Sequence, residues 1–306
     1  MKVLVATQKP FAPVAVEGIR EIVEKAGYEF ALLEKYPGEA ELAAAAADAD
    51  ALIVRSDKVT AAVLEAAPKL RIVVRAGAGY DNLDLAACSA RGVVAMNTPG
   101  QNSNAVAELA IAMMIFMARG QFTPSTGSEI SGKTLGVQAF GNVGRLVARK
   151  AEALGMKVLA TDPFLTPEQI REGGAEPVES VEELYARSNF VSVHIPATPQ
   201  TVGSIDRELI GRMPKNAVLV NTARKEVIDE AGLAEVLEQR PDLKYVTDVA
   251  PDGYEALREK FGLRIFATPK KMGAQTAEAN INAGLAAARQ IVAFFRDGDE
   301  KYRLNR

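Results

Sequence analysis

Short apolar runs rich in valine and isoleucine alternate with helical patterns along the first third of the chain. Strands that are buried on both faces read as continuous apolar runs, and crossover helices make neighbouring strands parallel. The first ~97 residues are therefore predicted to form one open α/β sheet. Its apolar runs are KVLVAT, ALLEKY, ALIVRS, RIVVRAG and VVAMN.

A long pattern over residues 102–119 is apolar nearly all round, with Asn102 or Ser103 as a possible N-cap and Gly120 closing it. Such a helix is buried in a domain or subunit interface.

A second alternation of apolar runs and helical patterns then predicts about six strands, and a last helical pattern over residues 276–295 could pack back on the first domain. The six runs are TLGVQAF, KVLATD, FVSVHIP, AVLVNTA, YVTDVA and IFATP.

Composition narrows the possible functions. A chain of 306 residues exceeds the ~250 residues at which single cores stop growing, so two domains are favoured. The net charge of −3 gives no basic field for nucleic acid. Cys88 is the only cysteine, which excludes a disulfide framework or a thiolate metal cluster, and we expect no metal site. No signal peptide or membrane-spanning run is evident, so we expect a cytoplasmic protein.

A glycine turn marks a dinucleotide site. The strand TLGVQAF leads into Gly141 and Gly144, then into a helical pattern and a second strand that ends at Asp162. This order matches the Rossmann fingerprint, although Ala139 stands where the first glycine belongs. The alternative is a glycine turn that only allows a helix and a strand to pack closely. Asp162 favours NAD over NADP, because a carboxylate repels a 2′-phosphate.

Together with this turn, several segments resemble the D-2-hydroxyacid dehydrogenase family, and phosphoglycerate dehydrogenases in particular. They are VRSDKVT, VRAGAGYDNLD, VVAMNTPGQNSNAVAELA, VSVHIPATPQT, NTARKEVIDE and TDVAP. The resemblance implies a discontinuous, flavodoxin-like substrate domain of residues 1–98 and 277–306, and a Rossmann NAD-binding domain of residues 99–276. It also implies a homodimer, a short form without a regulatory domain, and NAD-dependent oxidation of 3-phosphoglycerate to 3-phosphohydroxypyruvate, the first step of serine biosynthesis.

The resemblance also implies roles for individual residues. Arg224 resembles the arginine that holds the substrate carboxylate and polarises the reacting carbonyl, whereas a surface or capping arginine is the alternative. The substrate-binding residues are expected to be Arg55, Ser56, Lys58, Gly77, Ala78, Gly79 and Asn102. The expected cofactor-binding residues are Val106, Phe140, Gly141, Asn142, Val143, Asp162, Pro163, His194, Ile195, Pro196, Thr222, Ala223, Arg224, Asp248 and Gly273.

The chain departs from the family at the catalytic base. Family members have a histidine oriented by a glutamate, but the segment TPKKMGAQT places Lys271 at the base position, with Lys270 beside it, and no glutamate follows Asp248 and Val249. Catalysis could be lost, or the base could be switched, and we favour the switch. An amine has no tautomer for a carboxylate to fix, and nearby Arg224 and the positive nicotinamide lower a lysine pKa. The alternative for Lys271 is a solvated loop lysine.

Two other functions remain open. One is a dehydrogenase of another 2-hydroxy acid, such as glycerate. The other is a non-catalytic protein that senses NAD on the same scaffold. The cationic loop with Arg55, Ser56 and Lys58 favours a phosphorylated substrate, and Lys270 could add charge.

Overall fold

The computed structural model of the protein describes residues 1–305. The chain forms two compact units. Unit 1 contains Met1–Asn102 and the chain from Thr276 onward, and unit 2 contains Ser103–Gln275. The two junctions lie four residues and one residue from the junctions expected from the sequence.

Unit 1 is built on a five-stranded sheet in which every pair of neighbours is parallel. The strands are β1 (Lys2–Thr7), β2 (Glu29–Glu34), β3 (Ala51–Val54), β4 (Ile72–Arg75) and β5 (Val94–Asn97). The helices are α1 (Pro13–Lys25), α2 (Glu39–Ala46), α3 (Ala61–Ala66), α4 (Leu85–Ala90) and α12 (Ala277–Asp297). The strand order β2-β1-β3-β4-β5 is that of flavodoxin-like folds.

Helix α12 packs against α1, so the end of the chain returns to the first unit as the sequence suggested. Thr276 caps its first turn by accepting a hydrogen bond from the amide of Ala279 at 3.1 Å. The two helices approach closely because α1 carries Gly18 at this contact. A Cβ atom at Gly18 would lie 2.6 Å from the side chain of Leu285 in α12.

Unit 2 is built on a seven-stranded parallel sheet, in the order β8-β7-β6-β9-β10-β11-β12. The strands are β6 (Thr134–Gln138), β7 (Lys157–Thr161), β8 (Glu176–Pro177), β9 (Phe190–Val193), β10 (Val218–Asn221), β11 (Lys244–Thr247) and β12 (Ile265–Ala267). The helices are α5 (Ser103–Ala118), α6 (Asn142–Ala153), α7 (Pro167–Glu172), α8 (Val181–Arg187), α9 (Arg207–Gly211), α10 (Glu230–Gln239) and α11 (Tyr254–Phe261). The prediction of about six strands missed β8, which is only two residues long and ends in a proline.

The topology of unit 2 fixes where a ligand can bind. Strand order reverses between β6 and β9, and parallel α/β sheets bind ligands at the carboxyl ends of strands at such a switch point. Helix α5 supplies a large part of the core, with Met114 and Met117 fully buried beside α6. Within residues 1–305, no helix has the length and apolarity needed to cross a bilayer.

Candidate functional site

The glycine turn between β6 and α6 has the geometry of a pyrophosphate cradle. Helix α6 begins directly after Gly141, and a Cβ atom at Gly141 would meet no other heavy atom within 4 Å. A Cβ atom at Gly144 would lie only 2.2 Å from the carbonyl oxygen of Ala139, so this glycine lets the helix approach the strand. The two glycines therefore leave one side of the turn open to a phosphate while its other side is tightly packed.

Ala139 adopts the backbone conformation that the missing first glycine would favour. Its φ is +73°, in the left-handed region that costs a residue with a side chain about 1–2 kcal/mol. Neighbouring hydrogen bonds hold it there. The amide of Ala139 donates to the carbonyl of Thr161 at 3.0 Å, and the next amide, of Phe140, donates to the carboxylate of Asp162 at 2.8 Å.

A cavity of about 620 Å³ lies at the carboxyl ends of β6 and β7. Asp162, Pro163 and Ile195, three of the residues expected to bind the cofactor, line this cavity. Asp162 accepts hydrogen bonds from the amides of Phe140 at 2.8 Å and Phe164 at 2.9 Å. Every charged residue in the described lining is acidic, namely Asp162, Glu179 and Glu182. This charge disfavours an added phosphate on the ribose.

His194, the only histidine of the chain, follows β9 next to this cavity. One ring nitrogen lies 2.9 Å from the hydroxyl of Ser192, and the amide of His194 donates to the carbonyl of Gln138 at 3.0 Å. Loss of hydration lowers the pKa of His194 to about 4. The imidazole is therefore neutral at neutral pH, and Ile195, not His194, lines the cavity together with Asp162.

The residues expected around the nicotinamide meet where β10 and β11 end. Asp248 is fully buried, and its Oδ2 accepts a hydrogen bond from the amide of Gly273 at 2.7 Å. Its Oδ1 and the hydroxyl of Thr222 are buried without a partner among residues 1–305. Burial raises the pKa of Asp248, while the Gly273 amide and the charge of Lys271 oppose the rise. Buried polar atoms without partners are rare in folded proteins, so these two fit contacts to a polar ligand group such as a carboxamide.

Glycine is required at residue 273. A Cβ atom there would lie 2.8 Å from Oδ2 of Asp248 and 3.2 Å from the side chain of Val106. Any larger residue would push against the buried carboxylate. Gly273 therefore lies close to the side chains of both Val106 and Asp248.

Arg224 and Lys271 converge on one backbone oxygen. Nη1 of Arg224 and Nζ of Lys271 each donate to the carbonyl of Ala223 at 2.9 Å. Lys270 is exposed, and its carbonyl accepts a hydrogen bond from the hydroxyl of Thr268 at 2.7 Å. Asp252, the acidic residue nearest in sequence to the position of the missing glutamate, pairs with Lys225 on the surface. Two cations directed at one oxygen form an arrangement that can bind and polarise a substrate oxygen.

In unit 1, Arg55 directly follows β3 and has several partners. Its guanidinium donates to the carbonyls of Lys9 at 3.1 Å and Pro10 at 3.0 Å, and to the side-chain oxygen of Asn280 at 2.5 Å. Burial lowers the pKa of Arg55. Ser56 and Lys58 are exposed beside it. The guanidinium of Arg55 is thus already bound to two backbone carbonyls, whereas Lys58 is exposed and can contact an anion at this loop.

The glycine turn after β4 packs against a second arginine, Arg75, which was not among the expected site residues. Nε of Arg75 donates to the carbonyl of Arg55 at 2.9 Å, and a Cβ atom at Gly77 would lie 1.9 Å from Nη1 of Arg75. The amide of Gly77 donates to the carbonyl of Arg75, which leaves Ala78 and Gly79 as the amides open to a carboxylate. The sequence carries one signal for Arg75: like Arg55, it stands where a predicted strand ends.

A model of the "D-isomer specific 2-hydroxyacid dehydrogenase, NAD binding domain" family matches residues 105–261, about half of the chain and most of unit 2. The chain belongs to this family. Unit 2 is its NAD-binding domain, and the strand orders of the two units confirm both predicted sheet architectures.

Individual relatives agree with this family. A crystal structure of NAD⁺-bound 3-phosphoglycerate dehydrogenase from Entamoeba histolytica is 48% identical, with a TM-score of 0.88, and the match covers 100% of this chain and 99% of that one. D-3-phosphoglycerate dehydrogenase from Mycobacterium tuberculosis is 38% identical over 269 residues, 83% of this chain and 51% of the relative. Hydroxypyruvate reductase from Thermotoga maritima is 38% identical over 264 residues, 80% of this chain and 84% of the relative. The chain thus spans about half the length of the mycobacterial relative.

Proposed function

We propose that the protein is an NAD-dependent dehydrogenase that oxidises 3-phosphoglycerate to 3-phosphohydroxypyruvate, the reaction that begins serine biosynthesis. The observation that carries this proposal is the convergence of Arg224 and Lys271 on the carbonyl oxygen of Ala223. A protein that only senses NAD has no need for two cations directed at one oxygen. The similarity to the 3-phosphoglycerate dehydrogenase of Entamoeba histolytica supports the choice of substrate.

The residues of unit 2 divide the reaction between them. Gly141 would hold the pyrophosphate of NAD, Asp162 the adenosine ribose, and Asp248 with Thr222 the nicotinamide amide. When bound, NAD supplies the acceptor for the hydride that leaves C2 of the substrate. Lys271 takes the hydroxyl proton as the C2–H bond breaks, and Arg224 stabilises the oxygen as it becomes a carbonyl.

A lysine base must be neutral before it can accept a proton. The guanidinium of Arg224 lies close to the amine of Lys271, since both donate to the same oxygen, and its positive charge disfavours the ammonium form. A glutamate beside the amine, in addition to the nearby Asp248, would act in the opposite direction. The absence of the family's glutamate after Val249 is therefore consistent with a switch from histidine to lysine.

Cofactor preference tests the acidic cavity. We expect the parent protein to use NAD with a higher kcat/KM than NADP, and Asp162→Asn to narrow the difference, because one of three carboxylates that repel a 2′-phosphate is removed. Glu179 and Glu182 remain, so NAD should still be preferred in the variant. Initial rates with each cofactor give the ratio directly. Equal use of the two cofactors by the parent protein would contradict this assignment.

Substrate choice is tested at the cationic loop of unit 1. We expect Lys58→Ala to raise KM for 3-phosphoglycerate about tenfold, the loss of one charge-assisted contact, and to raise KM for glycerate less. Arg55→Ala should act in the same direction, but this variant also releases the carbonyls of Lys9 and Pro10. Lys58→Ala is therefore the cleaner variant.

Lys69→Ala is the matched control for this comparison. Lys69 is an exposed lysine of the same unit that precedes β4, whereas Lys58 follows β3, so the two lie near opposite edges of the sheet. The control should leave both KM values unchanged. Equal rises for the two substrates in Lys58→Ala would remove the phosphate assignment without affecting the proposed roles of Arg224 and Lys271.

A second candidate is a dehydrogenase that acts on glycerate and hydroxypyruvate. The relative from Thermotoga maritima favours it, because that protein is named hydroxypyruvate reductase and is matched over 84% of its own length. The same kinetic comparison separates the two candidates. A higher kcat/KM for glycerate than for 3-phosphoglycerate in the parent protein would favour the second.

A further inference from the structure

A second cavity, of about 380 Å³, lies at the edge of the unit 2 sheet opposite the glycine turn. The turn, Asp162 and Asp248 follow the carboxyl ends of their strands, whereas this cavity lies where strands begin. Lys133 immediately precedes β6, Asn189 precedes β9, and Lys244 is the first residue of β11. None of these residues takes part in the reaction proposed above.

The charge of the cavity is positive. Lys133, Lys215 and Lys244 line it, and no aspartate or glutamate is found in its described lining. Within residues 1–305, none of the three lysines forms a salt bridge. Lys133 and Lys244 line the same cavity, and burial and then the charge of Lys133 lower the pKa of Lys244. The cavity is therefore a local positive patch on a chain with a net charge of −3.

One of the lysines also has a structural role. Nζ of Lys244 donates to the carbonyl of Met117 at 3.2 Å, at the C-terminal end of α5, where a positive charge is favourable. An ammonium group has three donors, so this contact leaves two for a ligand. The role of Lys244 at the helix end does not explain why Lys133 and Lys215 also line the cavity.

Hydroxyl groups complete the wall of the cavity. The chain after α5 doubles back on the helix end: the amide of Ser128 donates to the carbonyl of Ala118 at 2.8 Å, and a Cβ atom at Gly127 would lie 2.9 Å from Cα of Arg119. This fold-back places Ser125, Thr126 and Ser128 around the cavity. Hydroxyls and ammonium groups together are the usual side-chain donors to phosphate oxygens.

We propose that this cavity binds a small phosphorylated molecule through Lys133, Lys215, Lys244 and the neighbouring hydroxyls. The volume of the cavity is in the range of sites for small ligands and exceeds what a single inorganic phosphate fills. The site is independent of the dinucleotide turn, because its residues lie at the other edge of the sheet. The proposal therefore does not depend on the proposed function.

The test uses the full chain, with inorganic pyrophosphate as the probe and saturating NAD to occupy the dinucleotide turn. Sodium pyrophosphate is added at constant ionic strength, and backbone amide shifts of Ser125, Thr126, Ser128 and Lys244 are followed by NMR. These amides report on this cavity alone, which separates it from the cationic loop of unit 1. We expect saturable shifts with a Kd below about 1 mM, and tenfold or weaker binding in Lys215→Ala and in Lys133→Ala.

Lys301→Ala is the matched control, because it removes the same charge from an exposed residue of unit 1 and should leave the affinity unchanged. A second arm replaces pyrophosphate with glycerol 2-phosphate, and tighter binding in that arm would identify a phosphate ester as the natural class of ligand. Shifts that grow linearly without saturation, or that are equal in the parent protein and in Lys215→Ala, would overturn the proposal. A change of oligomeric state in Lys215→Ala with unchanged pyrophosphate affinity would overturn it as well.

Discussion

Lys271→Ala should lower kcat by about 10²-fold or more, the usual size of a lost general base, and should leave the affinity for NAD close to that of the parent protein. The amine donates a hydrogen bond to the carbonyl of Ala223. Asp162, Asp248 and the glycine turn are the parts of the chain proposed to hold the cofactor, and Lys271 is not one of them. Steady-state rates and NAD titration by fluorescence measure the two quantities separately.

Lys270→Ala is the control for this variant, since it removes an exposed lysine from the adjacent position. It should change turnover little. Lys271→His should recover little activity, because no glutamate is present to fix the tautomer of the imidazole. In the parent protein kcat should rise with pH as the ammonium of Lys271 loses its proton, and this limb should disappear in the alanine variant. Parental kcat with an unchanged pH limb in Lys271→Ala would show that another group is the base.

Arg224→Lys should lower kcat/KM by about 10²–10³-fold although the positive charge is kept. A guanidinium can hold a carboxylate through two parallel hydrogen bonds and still direct a donor at the reacting oxygen, whereas an ammonium is a single point of charge. Arg224 donates to the carbonyl of the preceding residue, so the substitution should not unfold the domain. Thermal denaturation checks this expectation.

Lys225→Ala provides the comparison for Arg224→Lys. Lys225 is the next residue in the chain and pairs with Asp252 on the surface. This variant should keep kcat/KM near the parental value, because an exposed ion pair contributes little. If Arg224→Lys and Lys225→Ala lose activity equally, the loss comes from disturbance of the loop after β10, and the role assigned to Arg224 is wrong.

The sequence predicts the fold well wherever apolar runs are long enough to be buried on both faces. Four of the five strands of unit 1 and six of the seven in unit 2 arise from such runs, whereas β2 arises from an apolar run at the edge of the sheet and contains no buried residue. Strand β8 was not predicted because two residues are too few to show a hydrophobic pattern, and Pro177 opposes a strand assignment. The conformation of Ala139 could not be predicted from residue type, because the hydrogen bonds around it hold a left-handed turn that alanine disfavours by itself.

The sequence indicated the side chains of the candidate site, but it did not indicate which backbone atoms these side chains contact. Motif position indicated Arg224, Lys271 and Asp248, but no pattern in the sequence could indicate that Arg224 and Lys271 both donate to the carbonyl of Ala223. The partnerless Oδ1 of Asp248 is likewise a property of packing. Arg75 was missed because an arginine at a strand end reads as a solvated residue until the contact with Gly77 is known.

If Arg224 and Lys271 act as proposed, the carbonyl of Ala223 makes substrate binding an exchange reaction. A substrate oxygen that enters between Arg224 and Lys271 displaces a partner that both side chains already have, so the number of hydrogen bonds changes little and ground-state affinity gains little. The balance shifts when the entering oxygen acquires negative charge, because an anionic oxygen competes better for cationic donors than a neutral amide carbonyl does. The carbonyl of Ala223 would thus leave the attraction of Arg224 strongest for the transition state, and Arg224 and Lys271 would donate to this carbonyl again when the product leaves.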